Sequence, residues 1–194
     1  MGIKNLTQLI KCYSSESIQT RALYELRDKR VAIDASIIIY QSLSNYRNRG
    51  QYIRNENGDI ISHLLGIFNK TILYLSLGIT PVYIFDGKPP ESKNHTINER
   101  KNRINETYKL LQNETDELKK LELEKKTIRI TENHLNEIKN MLDIINVQYY
   151  HPNGEAETFA SELCRIKEVD YVITEDMDAL ACGSPFMIRN CIDK

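Results

Sequence analysis

The 194-residue chain predicts an α/β fold in which a mostly parallel central sheet is flanked by helices and a polar helical segment projects from the body. Short apolar runs at 31–35, 82–85 and 171–174 have the composition of buried strands. Segments with helical spacing separate these runs, and such alternation is typical of parallel sheets covered on both faces. Residues 91–127, by contrast, carry too few apolar side chains to bury a full helix face, so this segment should project.

Before residue 91, apolar spacing and turn residues place the elements. A helix over Ile61–Leu77 should end at Gly78, because glycine tolerates the left-handed backbone at a helix end. The sequence Gly87-Lys-Pro-Pro90 should stop the strand at 82–85. The other elements expected here are a helix over 3–12, the strand at 31–35, a helix over Ser36–Leu43 and a turn at 55–58.

After residue 91 the pattern first becomes polar and then returns to α/β. Thr131 is the expected N-cap of an amphipathic helix that runs to Ile145. The apolar stripe of the projecting segment consists only of Leu110, Leu111, Leu118 and Leu121. The remaining elements are strands at Val147–Tyr150, 171–174 and Phe186–Arg189, and a helix over Glu155–Lys167.

The size and composition indicate one soluble globular domain. A mass of 22.6 kDa, with 41% hydrophobic and 27% charged residues, is ordinary for such a domain. The net charge of −1 gives no global signal for a nucleic-acid partner, so any such signal must come from local charge clusters.

Cysteine spacing and the absence of long apolar runs bear on the location of the protein. The four cysteines are scattered without zinc-site spacing, which favours free thiols in a reducing compartment. No signal peptide or transmembrane segment is recognisable, so we expect a nuclear or cytoplasmic protein with no membrane partner. The frequent Ile and Asn residues indicate an AT-rich genome, such as that of a large DNA virus.

Acidic residues stand where three predicted strands end and where one predicted helix begins. Singly, each has an ordinary structural interpretation: helix capping, acid enrichment in a first helical turn, or a turn residue. Jointly they are better explained by a ligand site, because the carboxyl ends of parallel strands meet at one crevice. The acids are Asp34, Asp86, Glu155, Glu157, Asp176 and Asp178.

Such an acid cluster calls for cations. Two carboxylates ~4 Å apart repel by roughly 4 kcal/mol at an effective dielectric constant near 20. Oxygen-only ligands suit Mg²⁺, with Mn²⁺ as a substitute, rather than zinc. Two such ions would stabilise the attacking and leaving oxygens of a phosphodiester hydrolysis. None of the four histidines stands in a motif typical of a general base, so we expect them to be surface or packing residues.

A basic stretch follows directly after Asp86. Residues 88–109 contain six basic and three acidic residues, and residues 119–129 contain five and two. A solvated helix face is the usual explanation of such a run. Here the basic stretch also places cations beside the proposed anionic site. Lys93 and Arg100 are seven residues apart, two helical turns, so both could reach one phosphodiester.

With these residues assembled, the chain resembles the structure-specific 5′-nucleases of the XPG superfamily, and most closely the flap endonuclease family. The sequence Gly-Lys-Pro-Pro after Asp86 favours the flap branch. The motifs that carry the resemblance are Val-Ala-Ile-Asp34-Ala-Ser with Ile39-Tyr40-Gln41, Phe85-Asp86-Gly-Lys-Pro-Pro90, Glu155-Ala-Glu157, and Thr174-Glu-Asp176-Met-Asp178 followed by Gly183-Ser-Pro185. The resemblance covers essentially the whole chain: an N-terminal region of about 1–107, a helical arch of about 88–130 and an internal region of about 131–194.

The resemblance implies a role for each site residue and a Mg²⁺-dependent cleavage of branched or flapped DNA in replication and repair. All six acids match metal ligands. Lys93 and Arg100 match a catalytic basic pair on the arch. Tyr40 matches an aromatic residue that stacks on a base near the scissile phosphate. Gly2, Arg47 and Arg103 match further DNA contacts.

The chain departs from the family at its C-terminal end. A further metal-ligand aspartate and a duplex-binding element follow in the family, and a sliding clamp would bind only through a tail that is missing here. Two alternatives therefore stand beside the nuclease: a truncated relative that binds DNA junctions with weak or no catalysis, and a PIN-like ribonuclease that uses the same acids on RNA.

Overall fold

The computed structural model describes residue 3 and residues 5–45, 47–48, 51–90 and 93–191, with side chains for all of these except residues 47, 48, 51 and 121. Seven strands and eight α-helices are present in that part of the chain. The helices are α1 (Leu6–Tyr13), α2 (Ala35–Asn45), α3 (Ser62–Ser76), α4 (Asn94–Asn113), α5 (Glu117–Lys126), α6 (Glu132–Ile144), α7 (Ala156–Arg165) and α8 (Asp178–Ala181). The strands are β1 (Arg30–Asp34), β2 (Arg47–Asn48), β3 (Gln51–Tyr52), β4 (Thr80–Ile84), β5 (Tyr149–Tyr150), β6 (Tyr171–Ile173) and β7 (Met187–Ile188).

Five strands form a parallel sheet in the order β5-β4-β1-β6-β7, and β2 pairs with β3 in a small antiparallel ribbon. β1 is central, because it pairs with β4 on one side and with β6 on the other. Asp34 is in register with Ile84, so β1 and β4 end at the same edge of the sheet. Parallel strands bring their carboxyl ends together, and this edge is where the predicted acids lie.

Side chains on the two faces of the sheet enter two separate apolar clusters. On one face, Ile33 and Phe85 pack with residues of α2, α3 and α6. On the other, Ala32 and Val82 pack with α7. Both faces are therefore covered, which explains why the strands read as continuous apolar runs rather than alternating ones. The predicted α/β class with a mostly parallel sheet is confirmed.

Most predicted elements are present, with ends shifted by one to three residues. Gly78 has the expected left-handed backbone, with φ of 74°. The hydroxyl of Thr131 accepts a hydrogen bond from the backbone N–H of His134 and caps α6 as predicted. The β2–β3 ribbon and α8 were not predicted, because two-residue strands and a four-residue helix are too short to show a period.

The polar segment forms two helices rather than one continuous stretch. Asp116 accepts hydrogen bonds from the backbone N–H groups of Leu118 and Lys119 and so begins α5 as its N-cap. α4 has no buried residue, in agreement with its thin apolar stripe. α4 packs against α5, and we call α4, residues 114–116 and α5 together the arch.

All four cysteines are free, as their spacing predicted. Within the ranges given above, the helices are too short or too polar for any of them to cross a lipid bilayer.

Candidate active site

Five of the six predicted acids lie at or just beyond the carboxyl ends of β1, β4 and β6 or begin a neighbouring helix. Asp34 is the last residue of β1, and Asp86 lies two residues beyond β4. Asp176 follows β6 by three residues, and Asp178 begins α8. Glu155 is the N-cap residue of α7, with an extended backbone at φ −74° and ψ 144°. The sixth acid, Glu157, lies in the first turn of the same helix.

Ser36 links two of these carboxylates. Its backbone N–H donates to Oδ1 of Asp34 over 2.9 Å, which is the capping interaction that the sequence allowed. Its hydroxyl donates to Oδ2 of Asp86 over 2.7 Å. One serine at the start of α2 thus orients acids from two neighbouring strands.

Asp86 is also held from the side of α7. Its Oδ1 accepts a hydrogen bond of 3.0 Å from the backbone N–H of Ala156. The backbone N–H of Gly87 donates to the carbonyl of Gly154 over 2.8 Å. A Cβ at Gly87 would lie 2.0 Å from the carbonyl oxygen of Pro152, so only glycine permits this close approach.

The acids after β6 are fixed by their own turn. The backbone N–H of Asp176 donates to the hydroxyl of the fully buried Thr174 over 3.2 Å. Oδ1 of Asp176 accepts from the backbone N–H of Asp178 over 3.0 Å. The turn interpretation is therefore correct for this pair and is compatible with a ligand role, because each carboxylate keeps further lone pairs.

Electrostatic interactions connect five of the six acids, all except Asp178. Burial, reinforced by the neighbouring Asp86 and Glu157, raises the pKa of Asp34 to about 8. Burial is also the main cause of the raised pKa of Glu157, to which the charges of Asp86, Asp176 and Glu155 add. In the folded protein the charged forms of Asp34 and Glu157 are therefore disfavoured.

Lys93 places a positive charge on this cluster. Its ammonium donates a hydrogen bond to Oε1 of Glu155, and this bond is the main cause of the raised pKa of Lys93. The charges of Glu157 and Asp178 raise the pKa further. One of the two predicted catalytic basic residues thus lies at the acid site.

The donor set fits a hard divalent cation, although it is not closed around one. All six side chains offer oxygen, the ligand atom that hard divalent cations prefer. Across the described ranges, no three His, Cys, Asp or Glu side chains are positioned to hold one ion. Any ion bound here would have to draw the carboxylates together and take the place of Lys93 at Glu155.

The remaining predicted residues are less closely tied to the acids. Arg100 is exposed on α4, and the guanidinium of Arg103 lies 3.7 Å from the carboxylate of Glu99. Tyr40 is 44% exposed, and its hydroxyl donates to the carbonyl of Lys125 in α5 over 3.4 Å. Gly2 and the side chain of Arg47 lie outside the described residues.

Sequence reasoning missed two residues that contact the acids. The capping bond from Ser36 to Asp34 was expected, but the contact of the Ser36 hydroxyl with Asp86 was not, and no local spacing marks it. His151 is an exposed residue that packs against Phe85, as expected of a surface or packing residue, and its Nε2 also lies 2.9 Å from the carbonyl oxygen of Asp86. No local motif marks that contact, because 65 residues separate the two.

Two family models match this chain. The XPG N-terminal domain matches residues 1–107. The XPG I-region matches residues 146–194. Together they include all of the predicted site residues.

Curated relatives and solved structures agree with these matches. Flap endonuclease 1 of Enterocytozoon bieneusi is 38% identical over 193 residues, which is 98% of this chain and 54% of the relative. The catalytic core of Rad2 in complex with a DNA substrate superposes with a TM-score of 0.69 at 29% identity, over 94% of this chain and 50% of that one. Flap endonuclease-1 from Methanococcus jannaschii superposes with a TM-score of 0.66 at 29% identity, over 91% of this chain and 57% of that one. The chain therefore spans about half the length of the relatives it matches.

Proposed function

The chain belongs to the XPG family, and from this premise we propose that it is the core of a metal-dependent, structure-specific 5′-nuclease. It would hydrolyse phosphodiesters at 5′ flaps or other junctions between single-stranded and double-stranded DNA. The observation that carries the proposal is the cluster of six carboxylates with the Lys93 ammonium against it.

We assign the six carboxylates to the binding of two Mg²⁺ ions, for which Mn²⁺ can substitute. When bound, these ions supply the Lewis acidity that polarises a phosphodiester and activates water. Ser36 and the Ala156 N–H orient Asp86, and Ser36 also orients Asp34. Glu155 would be free to hold an ion once the Lys93 ammonium contacts a phosphate oxygen instead.

The arch and its surroundings would bind the DNA. Lys93 and Arg100 would contact the scissile phosphate, where cations stabilise the charge of the transferring group. Tyr40 presents an exposed ring that can stack on a base. Arg47, Arg103 and Gly2 would contribute contacts to the DNA that do not read its sequence.

The proposal is tested with the purified chain and a labelled 5′-flap duplex in Mg²⁺. We expect cleavage near the junction, loss of cleavage in EDTA, and at least a roughly 100-fold lower rate for Asp86→Ala, as for the loss of a key electrostatic group. Cleavage that is indifferent to both EDTA and the substitution would rule out the mechanism.

An RNA version of the same flap and a binding assay separate the two alternatives. Preference for RNA would favour a PIN-like ribonuclease. Tight flap binding without cleavage in either Mg²⁺ or Mn²⁺ would favour a junction-binding relative instead. Melting curves of Asp86→Ala and of the wild type are compared, so that a lost fold is not mistaken for lost chemistry.

A further inference from the structure

His151 makes a well-defined contact with the backbone of Asp86. Its Nε2 lies 2.9 Å from the carbonyl oxygen of Asp86, and a carbonyl can only accept, so Nε2 donates. The imidazole also lies against the ring of Phe85, with 6.3 Å between the ring centroids and an edge-on angle of 63°. His151 thus contacts two consecutive residues of the segment that presents the Asp86 carboxylate.

Lys139 of α6 holds His151 in this position. Its Nζ lies 2.7 Å from Nδ1 of His151, and an ammonium can only donate, so Nδ1 is the acceptor. The imidazole therefore carries its hydrogen on Nε2, the nitrogen that faces Asp86. The same ammonium lies 5.2 Å from the centroid of the Phe85 ring, which adds a cation–π contact.

Backbone pairing between β4 and β5 ends where this side-chain contact begins. The N–H of Phe85 donates to the carbonyl of Tyr150, the last residue of β5. The N–H that would extend this parallel ladder belongs to residue 152, which is a proline and has no N–H. Beyond it, Gly87 pairs with Gly154. Asp86 lies between these two links, and the imidazole of His151 supplies a donor to its carbonyl.

We infer that His151, oriented by Lys139, is a positioning residue that fixes the Asp86 backbone and thereby the direction of its carboxylate. The inference concerns how one ligand of the proposed metal site is held, so its functional meaning rests on the proposed nuclease activity. It assigns no proton transfer to His151. Partners that orient metal ligands typically contribute 10- to 100-fold to metal affinity.

Amide exchange tests the inference in the absence of metal or DNA. The N–H of Ala156 donates to the Asp86 carboxylate, so its exchange rate reports how firmly that carboxylate is held. We expect His151→Ala to accelerate this exchange about fivefold or more. His151→Gln should restore a rate close to wild type, since the glutamine amide can donate to Asp86 and accept from Lys139. Asn153→Ala is the matched control, because it changes the same exposed loop but not this contact.

Mn²⁺ binding, followed by electron paramagnetic resonance, gives the second readout. We expect a roughly 10-fold weaker affinity for His151→Ala and recovery to within about threefold for His151→Gln. An unchanged Ala156 exchange rate in His151→Ala, or a His151→Gln variant as impaired as His151→Ala, would overturn the inference. If wild-type protein bound no Mn²⁺ but His151→Ala still accelerated the exchange, the positioning role would stand and the proposed metal-dependent function would fall.

Discussion

The Lys93 ammonium contacts Glu155 in the structure, and the proposal moves it to a phosphate oxygen during cleavage. A charge that acts on the reacting phosphate should affect turnover more than binding, because it is most needed as charge develops. We therefore expect Lys93→Ala to lower the single-turnover rate by about 100-fold or more while weakening flap binding by less than about fivefold. Quenched-flow rates and fluorescence anisotropy measure the two effects.

Lys88→Ala is the matched control for this substitution. Lys88 is an exposed lysine five residues before Lys93. Among the described side chains, the ion pair with Glu155 is formed by Lys93. We expect Lys88→Ala to change the rate by less than about threefold. Equal losses of rate and binding in Lys93→Ala would assign Lys93 to substrate positioning.

Tyr40 allows its ring and its hydroxyl to be tested separately. The ring is exposed on α2, whereas the hydroxyl makes one long hydrogen bond of 3.4 Å to the arch. If the ring stacks on a base, Tyr40→Ala should weaken flap binding by roughly 1–3 kcal/mol, and Tyr40→Phe should stay within about 0.5 kcal/mol of wild type. Anisotropy titrations measure both, with Tyr13→Ala as an exposed-tyrosine control on α1. A Phe variant as weak as the Ala variant would show that the hydroxyl carries the effect.

The sequence predicted the acidic residues of the site but not the residues that orient Asp86, and the reason is physical. Asp34 and Asp86 stand next to apolar runs, and a strand end is a position that sequence marks clearly. The contacts of Ser36 and His151 with Asp86 join residues 50 and 65 positions apart. Such contacts depend on strand order and loop path, which no local period encodes.

At the scale of elements, helices α3 and α6 are joined by a buried histidine. His63 is fully buried, its Nε2 lies 2.6 Å from Oε2 of Glu137, and its ring lies 4.5 Å from that of His134. Burial lowers the pKa of His63, although Glu137 opposes this effect. Burial and the neighbouring His63 also lower the pKa of His134.

The sign of the resulting pH dependence follows from linkage. Because the folded-state pKa values of His63 and His134 are lowered, the unfolded chain takes up more protons below about pH 6.5, the ordinary histidine value. Asp34, whose pKa is raised to about 8, contributes with the opposite sign over the same pH range, so the histidines are tested in an Asp34→Asn background. There, acidification from pH 7 to 5.5 should lower the free energy of unfolding, by at most roughly 1.4 kcal/mol per pH unit for each histidine. Urea denaturation at several pH values should give a shallower slope for His63→Gln and an unchanged slope for the exposed His95→Ala. A stability of the Asp34→Asn protein that stays constant down to pH 5.5 would contradict this.

The arch is held together by few side chains. The guanidinium of Arg129 donates to Asn105 over 3.0 Å and lies 5.8 Å from the centroid of the Tyr108 ring. With no buried residue in α4, local opening should be easy. We expect trypsin to cut residues 94–126 first, and Arg129→Ala to accelerate these cuts several-fold. Mass spectrometry of timed digests measures this, with Arg165→Ala as control. Early cleavage elsewhere in the described chain would show that the arch is not the weakest element.

Element boundaries in the arch show where sequence patterns lose precision. The low apolar content of 91–127 predicted a projecting helical segment, but the break into α4 and α5 depends on one N-cap, Asp116. In a segment rich in Glu and Asn, one capping acid does not stand out from its neighbours. The core helices were placed more accurately, because burial imposes a 3.6-residue period on them.

For the whole molecule, the parallel sheet brings six carboxyl groups to one edge. Bound cations should offset the electrostatic repulsion between them. Burial and neighbouring acids raise the pKa of Asp34 to about 8, which shows that the charged cluster is unfavourable without a counter-ion. The sheet topology that creates the site therefore lowers the stability of the metal-free fold, as is common for functional sites.

Divalent cations should consequently stabilise the folded protein. A ligand that binds only the native state contributes about 2.7 kcal/mol at 100 times its dissociation constant. We expect Mg²⁺ or Mn²⁺ to raise the Tm in calorimetry, and Asp86→Ala to abolish most of this increase. In EDTA, Asp34→Asn should melt above wild type, because it removes a buried carboxyl from beside Asp86 and Glu157. The exposed Glu168→Gln serves as control and should keep the full cation response. A wild-type Tm that does not respond to either cation would contradict cation binding at the acid cluster, whatever the outcome of the cleavage assay.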